Sequence, residues 1–190
     1  MKRKTIAIVL ATLALFAWNA ISWMGLPFHG QSLQPLPDAV VEFTKLSSVR
    51  LEDGVYHYPG FPEDNSPESL QKLEQKLATA PRIPLMVYKS GPSQLFNPTD
   101  FLQSLLINLF TVGALYLLLA QVKPQDLRTT LLACLLAAML TGFASDLALM
   151  NWYKLSLEFV IPNMADHIIG FCLAGIILFS VFFKRLTYVA

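Results

Sequence analysis

Charge is scarce in this chain, and cysteine is scarcer. Only 14% of its 190 residues are Asp, Glu, Lys or Arg, and the formal net charge is +1. That balance leaves no basic excess to hold a polyanion, so nucleic acid is not an expected partner. Two cysteines, Cys134 and Cys172, cannot build the disulfide framework of a small secreted domain. They fall near opposite ends of two different apolar segments. Helix rise then predicts a difference in depth of more than ~10 Å, beyond the reach of a bridge. Also missing are a Gly-rich phosphate loop, His-Glu-x-x-His, Gly-x-Ser-x-Gly and Cys-x-x-Cys. The usual nucleotide, zinc-protease, serine-hydrolase and redox signatures are therefore absent.

Apolar residues are plentiful. Four runs, about Thr5 to Met24, Phe101 to Ala120, Thr130 to Met150 and Met164 to Phe183, approach the ~20 residues that carry a helix across ~30 Å of hydrocarbon. Lys2, Arg3 and Lys4 precede the first, Lys123 and Arg128 lie in the link after the second, and Lys184 and Arg185 follow the fourth. The other short link holds only Lys154. Basic residues in short loops stay on the cytoplasmic side. This predicts cytoplasmic termini and an extracytoplasmic segment at residues 25–99. Cleavage after Ala20 would put Trp18 where a small side chain is needed, so the first segment reads as an uncleaved anchor.

The expected fold is a membrane protein, mainly α, with four transmembrane helices in a bundle and a small α+β extracytoplasmic domain inserted between helices 1 and 2. The expected parts are 1–24 (N-terminus and first helix), 25–99 (inserted domain) and 100–190 (helices 2 to 4). In the insert, Asp38 to Leu46 reads as a short helix with Val41 and Leu46 on its apolar side. Gly54 to Tyr58 reads as a strand closed by Pro59 and Gly60. Ser66, Pro67 and Glu68 form a helix start ahead of Leu70, Leu73 and Leu77, and the helix ends before Pro81. Ile83 to Lys89 reads as a second strand. Pro84 keeps it to an edge or a strand start, and parallel and antiparallel pairing both remain open.

Asn97-Pro98-Thr99-Asp100 and Asn163-Met164-Ala165-Asp166 each resemble an N-cap asparagine with an acid three residues on, which gives Asp100 and Asp166 a capping role. Ala133, Ala137, Thr141 and Ser145, beside Ala138 and Gly142, form small-residue rows for close helix packing, with Gly170 and Ala174 as a matching face. Asn19 and Asn108 are expected to join helices.

His29, His57 and His167 fall on the side predicted to be extracytoplasmic, as do Asp100, Asp146 and Asp166. Asp146 stands out as a carboxylate about one turn inside the end of the third span. It sits at a helix C-terminus, where the macrodipole disfavours it, so a partner is expected in Lys154 or His167. Asp146, His167 and His29 are the candidate catalytic residues and the candidate metal ligands. Such side chains suit a transition metal, but no His-x-x-x-His spacing occurs and no cofactor is predicted.

Trp23-Met24-Gly25-Leu26-Pro27-Phe28-His29, Asp53-Gly54-Val55-Tyr56 and Asp166-His167-Ile168-Ile169-Gly170 resemble an uncharacterised family of small bacterial four-helix inner-membrane proteins. Pro-Phe-His here replaces the Pro-Trp-His expected of that group. The resemblance implies a bacterial inner-membrane location and transfers no activity. Two functions fit these readings. One is a noncatalytic accessory, assembly or interaction protein in the bilayer, with a membrane-protein partner or a second copy of itself. The other is a small membrane enzyme, or a metal- or proton-responsive protein, with its site at the outer membrane surface.

Overall fold

The computed structural model describes residues 2–40, 51–62, 64, 66–92, 94 and 96–184. Most of the expected Asp38–Leu46 helix, with Val41 and Leu46, lies outside the described residues, as does Arg185. The chain divides into two compact units: Met1–Gln34, Gln94–Asn151 and Leu155–Ala190 form one, and Pro35–Ser93 with Trp152–Lys154 the other.

The first unit is a helix bundle. Helix α1 (Lys2–Ala20) continues through a π-helical turn, Ile21–Gly25, to the short α2 (Pro27–Ser32). In the second unit, β1 (Gly54–Tyr58), α3 (Pro67–Thr79) and β2 (Ile83–Tyr88) follow. The bundle resumes with α4 (Pro98–Val122) and α5 (Leu127–Gly142), then a π-helical turn, Phe143–Leu147, leading into α6 (Ala148–Tyr153). Finally α7 (Leu157–Leu178) runs into a third π turn, Phe179–Phe183. Four helical stretches, Lys2–Gly25, Pro98–Val122, Leu127–Tyr153 and Leu157–Phe183, are long and apolar enough to cross a membrane.

The fourth stretch begins seven residues before the expected Met164. Ser156 is its N-cap, accepting from the Phe159 amide, and Glu158 occupies the first turn. Pro162 sits inside the helix, which membrane helices tolerate where neighbours satisfy the freed backbone groups. Asn163 and Asp166 are thus interior helical residues, and the capping role read for Asp166 does not hold. The Asn97 cap does hold: its side chain accepts from the Thr99 amide at 3.1 Å. The longer helix also revises the cysteines. Cys134 packs on Gly175, one turn from Cys172, so their depths differ by less than expected, yet both thiols are free.

The small-residue seam is one position away from the row counted first. Thr130, Cys134, Ala138 and Gly142 are the buried residues of α5. A β-carbon on Gly175 would lie 2.4 Å from Cys134 Sγ, and one on Gly142 would lie 3.1 Å from Met164. These contacts join α5 and α7 within one chain. Gly170 faces α1 instead, where an added β-carbon would meet Leu15 at 2.6 Å. Thr141 and Ser145, from the expected row, bond back to the carbonyls of Ala137 and Thr141. At the other end of the bundle Lys4 lies over the Tyr116 ring, which stacks with Phe183.

In the second unit β1 and β2 pair antiparallel, with Val55 opposite Val87 and an irregularity between Tyr56 and Tyr58. Asp53 ties the open end, accepting from the Ser90 amide and hydroxyl and from the Lys89 ammonium. Ser66 caps α3 as its sequence predicts, accepting from Ser69.

Candidate functional site

Where α1 ends and the first half of α7 runs, the first two π turns bring polar side chains together. A π turn adds one residue to a helical turn, which rotates everything beyond it by about 100°. The first carries Ser22 and Trp23, and the second carries Asp146. Two adjacent residues of α7 receive them. Asp166 and His167 lie about 100° apart around the helix, so they serve different neighbours. Asp166 shares the face of Gly170 toward α1, and His167 shares that of Phe171.

The Asp166 carboxylate is held from behind. Ser22 Oγ donates to it, at 2.7 Å from Oδ1 and 2.9 Å from Oδ2, and His29 Nε2 lies 2.9 Å from Oδ2. An ionised carboxylate can only accept, so with Asp166 ionised the proton of this contact sits on Nε2. Ser22 and His29 are each 2% exposed, and Trp23 stacks flat on the imidazole at 4.0 Å between centroids. Pro27 at the start of α2 pre-sets the turn that swings His29 under the bundle.

Serine, histidine and aspartate in contact invite comparison with a nucleophilic triad, but the wiring differs. In such a triad one ring nitrogen faces the hydroxyl and the other faces the carboxylate. Here both partners meet Nε2, 3.2 Å from Ser22 Oγ, while the buried Nδ1 has no hydrogen-bond partner. The serine proton points to Asp166, and imidazole cannot take it. Ser22 and His29 therefore orient a carboxylate rather than activate a hydroxyl.

The second pair is Asp146 and His167, with Nε2 3.0 Å from Oδ2. Of the two partners expected for Asp146, His167 is the one observed. Asp146 Oδ2 is buried and, despite this ion-pair distance, makes no aligned hydrogen bond. Of the three candidates, Asp146 and His167 thus meet directly, whereas His29 pairs with Asp166. The two pairs are joined through the Asp166–His167 peptide. Among the described residues, no group of three or more histidine, cysteine or carboxylate side chains is disposed to hold a metal ion.

Asp146, Asp166 and His167 line a cavity of about 680 Å³ within the bundle, together with Asp100 near the start of α4. No lysine or arginine lines it. Deeper in, Asn19 Nδ2 donates to Asn108 Oδ1 at 3.0 Å, the helix-joining contact expected of these amides. Asn108 is 4% exposed, and its own Nδ2 has no partner. Phe16, Phe101 and Phe171 supply apolar wall.

Ser22 is absent from the residues read for chemistry above, and Asp166, which falls on the expected extracytoplasmic side with them, reads there as a cap. Ser22 looks like a small polar residue at a span end. Asp166 was hidden by the Asn-x-x-Asp pattern, which mimics a cap. Comparisons of the chain with protein-family models, curated proteins and solved structures gave no match.

Proposed function

We propose that this is a bacterial inner-membrane protein whose cavity binds a small ligand at the extracytoplasmic side of the bilayer, where Asp146 and His167 exchange a proton with it. This is the reading of a small membrane enzyme or a proton-responsive binding protein. The observation that carries it is a 680 Å³ cavity lined by the Asp146–His167 pair, in which Asn108 Nδ2 is buried without a hydrogen bond and Asp146 Oδ2 has no aligned one. Buried polar atoms of native proteins are otherwise paired, and a ligand group is the natural partner for these. Histidine beside a carboxylate accepts or releases a proton near neutral pH, as general acid–base chemistry or a proton-linked response requires. Ser22 and His29 keep Asp166 fixed while this happens.

The orientation rests on the basic residues. Lys2, Arg3, Lys4, Lys123, Arg128 and Lys184 all fall at the bundle end away from the cavity, which is the cytoplasmic end by the rule for short loops. Residues 25–99 and the cavity are then extracytoplasmic. A cysteine placed at Ser69 should react with an impermeant thiol reagent added to intact cells, and one at Gln125 should not; reversed labelling would overturn this topology.

A second reading, an accessory protein with a membrane-protein partner, is favoured by the cross-strand pair Val55 and Val87, which are 66% and 72% exposed. Purification in mild detergent, with mass spectrometry of bound molecules, separates the two. A stoichiometric small molecule lost on Asp146→Asn supports the cavity reading. A stoichiometric protein partner, with no small molecule, supports the accessory one.

A further inference from the structure

Helix α4 packs mainly on α1 and α5 mainly on α7, while α4 and α5 make few contacts with each other. The cavity, walled mainly by α1, α4 and α7, reaches that weak seam at Thr141. Its wall includes Asp100, Ile107 and Thr111 from α4 and Thr141 from α5. At ~1.5 Å of rise per residue, Asp100 and Thr111 are about 16 Å apart along the axis, roughly half of a bilayer core. Ile107 both lines the cavity and is 64% exposed. A pocket of this depth, bounded by such a residue on its thin side, is reachable from within the bilayer.

Charge selects among membrane molecules. Asp100, Asp146 and Asp166 face the cavity, and His167 is joined there by no lysine or arginine. Even with His29 and His167 both protonated, three carboxylates outnumber two imidazoliums, so the site is net negative while the carboxylates are ionised. An anionic head such as phosphate or carboxylate is repelled, and an ammonium is attracted. Asp146 Oδ2, buried beside His167 with no aligned hydrogen bond, is an acceptor for such a head. Some 12 Å along α4 from Asp100, by the same helix rise, the unpartnered amide of Asn108 offers a donor to an oxygen on the ligand.

We infer that the ligand is a membrane amphiphile with an amine head, entering between α4 and α5, with its ammonium at Asp146 and Asp166 and its tail along Ile107 and Phe171. This rests on the reading that Asp146 and His167 form the site.

The test uses the full chain in phosphatidylcholine nanodiscs, with radiolabelled dodecylamine as the probe and protein-free nanodiscs as the blank. One saturable site per chain is expected, weakened about tenfold or more by Asp146→Asn, as loss of a charge-assisted hydrogen bond requires. Ile107→Trp, which fills the entry, should weaken it similarly, and a folded variant is recognised by an unchanged helical circular-dichroism melt. Laurate should not compete. Laurate binding as tightly as the amine, or dodecanol binding in an Asp146-dependent way, would overturn the amine head while leaving the Asp146–His167 site standing. Equal affinity for methylammonium and dodecylamine would overturn the amphiphile. Saturable binding indifferent to both Asp146→Asn and His167→Ala would sink the site itself, and uptake no greater than that of protein-free nanodiscs would overturn the proposal outright.

Discussion

Removing the Ser22 hydroxyl should loosen Asp166 and destabilise the bundle by an amount that depends on Asp166 being present. Ser22 Oγ donates to both carboxylate oxygens and is 2% exposed, so water cannot replace it. A hydrogen bond to a charged group contributes about 1.5–3 kcal/mol, which is the expected cost of Ser22→Ala. For a chain of this size that lowers the melting temperature by about 3–12 °C. Asp166→Ala should cost more, about 3–5 kcal/mol, because it leaves the buried Ser22 and His29 with only their 3.2 Å contact to each other. In the Asp166→Ala background, Ser22→Ala then removes only that neutral contact and should cost less, about 0.5–1.5 kcal/mol. The coupling energy of the cycle is therefore about 1–1.5 kcal/mol. The bundle supplies its own reporter. Cys134 is fully buried, so in a Cys172→Ala background a thiol-reactive fluorophore in a thermal ramp reads its exposure. Equal costs for Ser22→Ala in the two backgrounds would refute the proposition that Ser22 acts through Asp166.

Gly175→Ala should destabilise by about 1–3 kcal/mol despite the better helix propensity of alanine, because the new methyl falls 2.4 Å from Cys134 Sγ. Adding Cys134→Ala should recover much of that loss in detergent unfolding followed by circular dichroism, and no recovery would argue against this seam. In the second unit, the Lys89 ammonium first, then the Ser90 hydroxyl and amide, hold the Asp53 carboxyl well below its usual range. A depressed folded-state value means that its contribution is fully present above about pH 4 and fades as pH falls further. Protection of the Ser90 amide from hydrogen exchange, after correction for the intrinsic rate, should therefore drop in acid, and Asp53→Asn should abolish that dependence. Asp126 caps α5 by accepting from the Thr129 amide at 2.7 Å, so Asp126→Ala should lower the unfolding midpoint in the same assay. An unchanged midpoint would deny the cap any weight.

The local features were legible because their causes are local. Asn97 and Ser66 cap helices whose first amides lie two or three residues away, and Gly54 to Tyr58 alternates before a proline, so each could be read in a window of a few residues. Asp146 could be suspected because a carboxylate inside an apolar run needs a partner, and one of its two named partners is the observed one. The fourth helix start was misplaced because Asn163 and Asp166 look like a cap, while the real one, Ser156, lies before a proline that usually ends helices.

Hydrophobic length by itself determined the four helices long and apolar enough to cross a membrane, since a bilayer imposes the same requirement on every segment that crosses it. Which faces meet was left to the tertiary structure. The buried row on α5 is 130, 134, 138 and 142 because Gly175 admits the Cys134 sulfur, a fit that no single helix records. The candidate site was decided there too. Ser22 and Asp166 are separated by 144 residues, and a π turn, a short helix and the rotation of α7 bring them to 2.7 Å. Such a contact depends on packing between distant segments, and one residue gained or lost in a helical turn would turn the side chain away from its partner.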